Sequence, residues 1–500
     1  MQEHQRRAAG HIMIRTDAKF WSDSTYRDTI YRHIDAGIAG IGVFLGDLDT
    51  TARMIGDIRE RAGRRILVAA DYEFGLPMRL EGGVAIPRAM ALGRTTAEIT
   101  RHMARLVAEE ARALGVDWNF APVCDINSNP RNPIVNTRAF GESPEIVSAH
   151  VTAWIEGSRQ GGVLSSAKHA PGHGDTLTDS HVDLPLFGAD EALAWEREFV
   201  PFLAAIRADV DSIMVGHLLV PFLDPEYPAS CSHAVVSQLI RGKWGYHGVI
   251  ITDAMDMGAI TRRYDSATAA RHAMLAGVDI VLMPENTDEA MVALATSISE
   301  REIDEEWLQT SEQRIDALFH RIESAPSRPL TIDQNSHAMM ALKAADVAIE
   351  MRGTTDLLPI SGAPFAVFAI VDEHEADAAT TFFHYLSQAT EDNCDFAFID
   401  ASISDSDLSA MALGTKHAER IIFAFFGKAV AFRGAIGNSE KIAEIMLKLS
   451  ADRPTINLVC GSPYGPSDLA ADLTITTFSD TVPSLAAVVL RLIGRRPAAD

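Results

Sequence analysis

The chain is poor in cysteine and in positive charge. Its four cysteines in 500 residues, Cys124, Cys231, Cys394 and Cys460, are scattered, and no two have the spacing of a zinc site or a redox motif. This argues against a disulfide-stapled fold and leads us to expect free thiols in a reducing compartment. Lys and Arg number 44 against 68 Asp and Glu, a formal net charge of −24. That balance disfavours nucleic acid and anionic membrane surfaces as partners. No apolar run is long enough to cross a bilayer. The opening MQEHQRRAAGHIMIRTDAKF lacks the apolar core and small-residue cleavage site of a signal peptide, so a cytoplasmic location is expected. There is also no HExxH helix, no Gly-rich phosphate loop, no internal repeat and no low-complexity tract.

What is present is ordinary in bulk: 47% hydrophobic and 22% charged residues, the profile of a globular protein with ample core. Short apolar, β-branched runs at 40–44, 65–70, 118–122, 163–167, 212–215, 248–252 and 279–283 alternate with amphipathic stretches such as 96–114 and 144–160. Such alternation predicts a parallel sheet. The count suits an α/β fold of the (β/α)8, TIM-type barrel class with one irregular strand. Most runs end in polar residues: Asp71 and Glu73, Asp125 and Asn127, Lys168 and His169, His217, Asp253. That placement matches the active face of a barrel; a doubly wound open sheet is the competing fold. We expect a catalytic barrel over 1–324, a linker region over 325–345, and a smaller α/β sandwich domain over 346–500. In that domain, strands are expected at 365–371, 395–399, 420–426, 456–459 and 473–477.

Residues 167–185, AKHAPGHGDTLTDSHVDLP, gather Lys168, His169, His173, Asp175, Asp179, His181 and Asp183 around Pro171, Gly172 and Gly174. A buried strand that ends in so many ionisable groups is hard to explain by packing alone. A second such strand, GVIITDAMDM, delivers Asp253 to its end; for a lone Asp there, a helix N-cap is the plain structural explanation. A glycosidase needs a proton donor for the leaving oxygen and a carboxylate at the anomeric carbon. His181 can donate if Asp179 stabilises its imidazolium, and Asp253 can be the carboxylate. The same His/Asp cluster, His169, His173, Asp175, Asp179 and His181, could also ligate a metal. Lys168 would repel a cation there, so the metal-free reading, with no cofactor, ranks first and a metal-dependent barrel hydrolase second. A catalytically dead sugar-binding protein ranks lower still, because Asp179, His181 and Asp253 are all present.

The run KHAPGHGDTLTDSH followed by ITDAMDM closely resembles glycoside hydrolase family 3, and within it the β-N-acetylglucosaminidase (NagZ-like) branch. NFAPVCDIN at 119–127, TRAFG at 137–141 and MVGH at 214–217 follow in the family's order. The resemblance implies a retaining exo-glycosidase acting on β-linked N-acetylglucosamine at a non-reducing end. It implies Asp253 as nucleophile, His181 as acid/base and Asp179 as its partner. Asp71, Arg79, Arg138, Lys168 and His169 then bind the terminal sugar. A β-N-acetylglucosaminide phosphorylase using the same site is the alternative, because a neutral histidine would repel an incoming phosphate less than a carboxylate would. Where the branch carries D-Q-E-G-G-R, this chain has Asp71-Tyr72-Glu73-Phe74-Gly75-Leu76, a departure that bears on sugar selectivity. No catalytic residue is expected from the second domain. The expected partner is a carbohydrate substrate, with muropeptides, chitin fragments and other β-hexosaminides all open as its source, and a homo-oligomer is also left open.

Overall fold

The computed structural model describes residues 2–176, 178, 180, 183–326, 331–360, 363–371, 376–391, 394–399, 403–427, 439–450, 452–464 and 469–498. The chain divides into two compact units. The first comprises 1–84, 100–135 and 139–334; the second comprises 85–99, 136–138 and 335–500.

The first unit is an eight-stranded parallel barrel. Its strands are β1 (Ile12–Asp17), β2 (Gly40–Phe44), β3 (Leu67–Ala70), β4 (Trp118–Asn119), β5 (Leu164–Ala170), β6 (Ser212–Val215), β7 (Val249–Thr252) and β8 (Val281–Leu282). They run in sequence order around the sheet, β8 pairs with β1, and a bridge between Ile251 and Ile280 closes the ring. The interior is filled by Met13, Leu67, Ala69, Trp118, Phe120, Leu164, Met214, Val249 and Ile251, among others, as expected of a packed core rather than a pore. The helices between strands carry clear start and stop signals. Asp23 caps the helix Ser24–Ala36 by accepting from Thr25 and Tyr26 N–H groups, and Gly37 (φ 103°) ends it.

Two strands depart from expectation. β4 was expected to run to Pro122, but the regular ladder stops at Asn119. Pro122 has no N–H to continue it, and only its carbonyl still accepts, from Lys168 N. β5 runs three residues beyond the expected end. Its register against β6 shifts between Ala167 and Ala170, a bulge-like irregularity of the kind that re-aims side chains, and Lys168 and His169 fall inside it. The strand missing from the expected set is β1, whose inward face reads Met13, Arg15, Asp17 and so turns polar toward the mouth.

The N-terminal end of the barrel shows its own pattern. Val-Asp precedes β4, β6 and β8, as Val116-Asp117, Val210-Asp211 and Val278-Asp279. Each of these carboxylates is buried and capped by arginine. Asp117 pairs with Arg59 at 2.5 Å. Asp211 pairs with Arg321 at 2.9 Å and accepts from Ser165 N and Oγ. Asp279 pairs with Arg241 and, at 3.1 Å, with Arg314, and accepts from Ile250 N.

The second unit holds a six-stranded sheet: β9 (Glu350–Gly353), β10 (Phe365–Ile370), β11 (Asp395–Ile399), β12 (Arg420–Gly427), β13 (Thr455–Gly461) and β14 (Leu473–Thr476), in the order β9-β14-β13-β12-β10-β11. Only β9, which was not expected, runs antiparallel. Apolar clusters cover both faces. One includes Phe382, Leu386, Leu485 and Val488, the other Leu408, Ile445 and Leu449, giving an α/β sandwich. Within the expected linker region, Gln334–Ala348 is a helix with His337, Ala341, Ala344 and Ala345 buried. No helix among the described residues is long and apolar enough to cross a membrane. All four cysteines are free.

Candidate active site

Two strand ends, those of β5 and β3, meet through Lys168. Its ammonium, 2% exposed, lies 2.7 Å from Asp71 Oδ1 and 2.8 Å from Glu73 Oε1. A buried ammonium persists only when paired, and here two carboxylates share it. Arg79 donates to the other Asp71 oxygen at 2.8 Å. Burial alone would raise the Asp71 pKa, but Lys168 and Arg79 outweigh it and bring it to about 2. Arg79 also stacks on Phe44 at 4.6 Å, and Arg15 stacks on the same ring at 4.5 Å while paired with Asp17. Both guanidinium groups thus lean on the one ring. The result is a rigid patch of donors and acceptors at the mouth, suited to fixing hydroxyl groups.

Asp253 follows β7 directly and is half-buried. Its Oδ1 accepts from Ala254 N at 2.8 Å. Burial opposes its ionisation, yet His169, His217, the Ala254 amide and Lys168 together hold its pKa below the usual carboxylate range. It is therefore an anion at neutral pH. His217 braces this turn. Its Nε2–H donates to Ala254 O at 2.9 Å, and its Nδ1 meets Ser230 Oγ at 2.8 Å.

Asp125, fully buried, accepts from His169 Nδ1 and from His173 N, each at 2.7 Å. Burial would raise its pKa, but His169 and His173 keep it low. His173 itself is lowered to about 4 by burial, and its Nδ1 meets Thr176 Oγ1 at 2.8 Å. Asp175 pairs with Arg197 at 3.1 Å. Of the residues weighed as metal ligands, His169 is thus engaged by Asp125, His173 by Thr176 and Asp175 by Arg197. Among the described residues no three His, Cys, Asp or Glu converge as a metal cluster.

Of the expected site residues, Asp71, Arg79 and Lys168 are in direct contact, and Lys168 and His169 act electrostatically on Asp253. Asp179 and His181 lie outside the described residues. Arg138 ends the short 3-10 helix Asn136–Arg138, which belongs to the second unit. Leu76, where the family's branch has arginine, is buried as an apolar packing residue. In the sequence, Glu73, Asp125 and His217 stand out as polar strand ends, and Asp125 and His217 also as members of the runs NFAPVCDIN and MVGH, but without an assigned role. Their partners, Lys168 for Glu73, His169 and His173 for Asp125, and Ser230 and Ala254 for His217, lie 13 to 95 positions away in the chain.

A closed parallel (β/α)8 barrel, followed by an α/β sandwich and bearing carboxylates, lysine and histidines at its strand ends, is the architecture of a barrel enzyme. Residues 35–318 match the family model described as glycosyl hydrolase family 3 N terminal domain, and the chain belongs to that family. It is 31% identical over 341 residues to Beta-hexosaminidase A of Pseudoalteromonas piscicida; the match takes in 62% of this chain and only 57% of that protein. It is 36% identical over 276 residues to a Beta-hexosaminidase of Xylella fastidiosa (strain M23), covering 52% of this chain and 81% of the relative. Among solved structures, a glycoside hydrolase family 3 beta-N-acetylglucosaminidase from Paenibacillus sp. str. FPU-7 superposes with a TM-score of 0.85 at 26% identity, over 98% of this chain and 97% of that one. A beta-glucoside phosphorylase, BglX, shares the fold at 19% identity (TM-score 0.84, 98% of this chain and 91% of that one).

Proposed function

We propose that this chain is a retaining exo-glycosidase that releases terminal β-linked N-acetylglucosamine. Asp253 attacks the anomeric carbon as the bond to the leaving oxygen breaks, and His181, supported by Asp179, gives that oxygen its proton. A covalent glycosyl-enzyme results. His181, now neutral, takes a proton from water; the water oxygen bonds to the anomeric carbon, the ester bond to Asp253 breaks, and the β configuration is restored. Asp71, Arg79, Arg138, Lys168 and His169 hold the sugar. Residues 346–500 supply no proton donor in this scheme, and the enzyme works in the cytoplasm.

The observation that supports this most is the placement of Asp253 directly after β7, half-buried at the barrel mouth with its carboxylate held by the Ala254 amide. The names of the relatives support the choice of sugar. The test is turnover of aryl β-N-acetylglucosaminides with intact-protein mass measured after a rapid quench. One sugar on the peptide that carries Asp253 is the expected result; its absence under steady turnover would overturn the nucleophile assignment. Running the assay with phosphate separates the alternative, since a sugar 1-phosphate product would replace hydrolysis by phosphorolysis. Full activity after exhaustive chelation is expected, and its loss would favour a metal-dependent hydrolase.

A further inference from the structure

His173 and Asp175 take no part in the sugar grip or in bond breaking, yet both are held by partners from other segments. At the centre of that arrangement is Asp125, which follows the irregular stretch after β4. Its carboxylate is fully buried and receives the His169 main-chain N–H at 3.2 Å, the His169 ring at 2.7 Å and the His173 main-chain N–H at 2.7 Å. An ionised carboxylate can only accept, so Nδ1 of His169 carries the hydrogen. The ring's direction and tautomer are thereby set from behind, as in other carboxylate–histidine pairs.

The same carboxylate anchors the start of the loop. Asn132, also fully buried, donates to His173 O at 2.8 Å and Gly174 O at 3.1 Å. A Cβ on Gly174 would lie 1.5 Å from Ile126 O, a backbone atom that cannot give way. Arg197 joins Asp175 to Glu198, and Glu198 accepts from Ser128. Residues 172–176 are therefore fastened to 125–132 on several sides, and these fastenings precede residues 179 and 181.

We propose that Asp125 is a positioning residue: one buried carboxylate sets the tautomer and direction of the His169 imidazole and, through the His173 amide, fixes the root of the loop that leads to residues 179 and 181. What His169 then does for the sugar rests on the glycosidase reading; its tautomer and the loop anchor do not. Among the described residues, the ionisable groups that act on Asp125 are His169, His173 and the buried thiol of Cys124, and His169 and Lys168 in turn act on Asp253.

Asp125→Asn keeps an oxygen for the His173 amide but turns an NH2 toward His169, so that Nδ1 must accept and the hydrogen moves to Nε2. The expected result is a loss in kcat/KM on the order of 100-fold or more, with Tm nearly unchanged. In a His169→Ala background the same change should cost less than about 3-fold, because Asp125 acts through His169. Equal losses in both backgrounds, or less than about a 3-fold loss in the parent, would overturn the proposal. Nitrogen-15 NMR of histidine-labelled parent protein gives a readout free of activity and of any variant's folding. A protonated, hydrogen-bonded Nδ1 on His169 is expected, and a bare Nδ1 would end the inference. If the parent shows no turnover, the glycosidase reading fails while the NMR result still decides this one.

Discussion

The two ends of the barrel use the same ingredients to opposite ends. At the N-terminal base, Asp117, Asp211 and Asp279 are each capped by arginine, and Asp211 and Asp279 also accept from the Ser165 and Ile250 main-chain N–H groups. At the mouth, among the described residues, Asp71, Asp125 and Asp253 meet lysine, histidine and one arginine, and Asp253 keeps solvent access and accepts from the Ala254 amide. Arginine holds its charge whatever its surroundings, so the base is chemically finished. Lysine and histidine can exchange protons and partners, so the mouth is not. Whether a buried carboxylate in this barrel braces the fold or stands ready to react is set by the kind of cation it meets.

The largest test of that contrast is Asp253→Ala. We expect kcat/KM to fall by roughly 10⁴ or more with little change in Tm; substantial residual turnover would remove Asp253 from the reaction. Asp279→Ala should do the reverse. It leaves Arg241 and Arg314 without their carboxylate and should lower stability by about 3–5 kcal/mol in urea unfolding, while turnover per folded molecule stays near the parent value. A matching loss of kcat in the folded fraction would dissolve the distinction between base and mouth. Asp71→Asn comes next, with an expected loss of about 10–100-fold in kcat/KM from weakened charged hydrogen bonds.

The smallest effect concerns acid. Asp71 titrates at about 2 in the folded chain, below the unfolded value near 4. Its ionised form therefore stabilises the fold above pH 4, and that contribution, roughly 2 kcal/mol, disappears as pH falls toward 2. At the base, burial raises the Asp211 pKa above the ordinary value, so its protonation favours the folded state and its contribution grows on acidification. Acid titrations of Asp71→Asn and Asp211→Asn, followed by circular dichroism, should bend in opposite directions relative to the parent; parallel curves would refute the assignment.

Much of this was legible in the chain. Seven barrel strands and five sandwich strands fall where apolar, β-branched runs predict them, because a strand buried on both faces cannot hide its composition. β1 was not legible, since its inward face turns charged after Met13. β9 was not legible either: Glu350 and Arg352 sit on an edge strand whose pairing depends on Leu473–Thr476. The Val-Asp steps before β4, β6 and β8 are plain in the sequence but gain meaning only once Arg59, Arg321 and Arg241 arrive from elsewhere. Lys168 and His169 could be read as a strand end, whereas the link from Asp125 to both His169 and His173 depends on the β5 irregularity, a tertiary feature. His173 and Asp175 looked superfluous because their partners, Asp125 and Arg197, lie 48 and 22 positions away.

The contact of Gly174 on the Ile126 carbonyl is backbone against backbone, so its geometry owes nothing to the identity of any neighbouring side chain. It works as a fixed splice point. We expect changes of length or sequence just beyond Thr176 to leave the Lys168–Asp71 contact on the near side in place. A library that randomises residues beyond Thr176 would test that independence, with Tm of the variants as the readout.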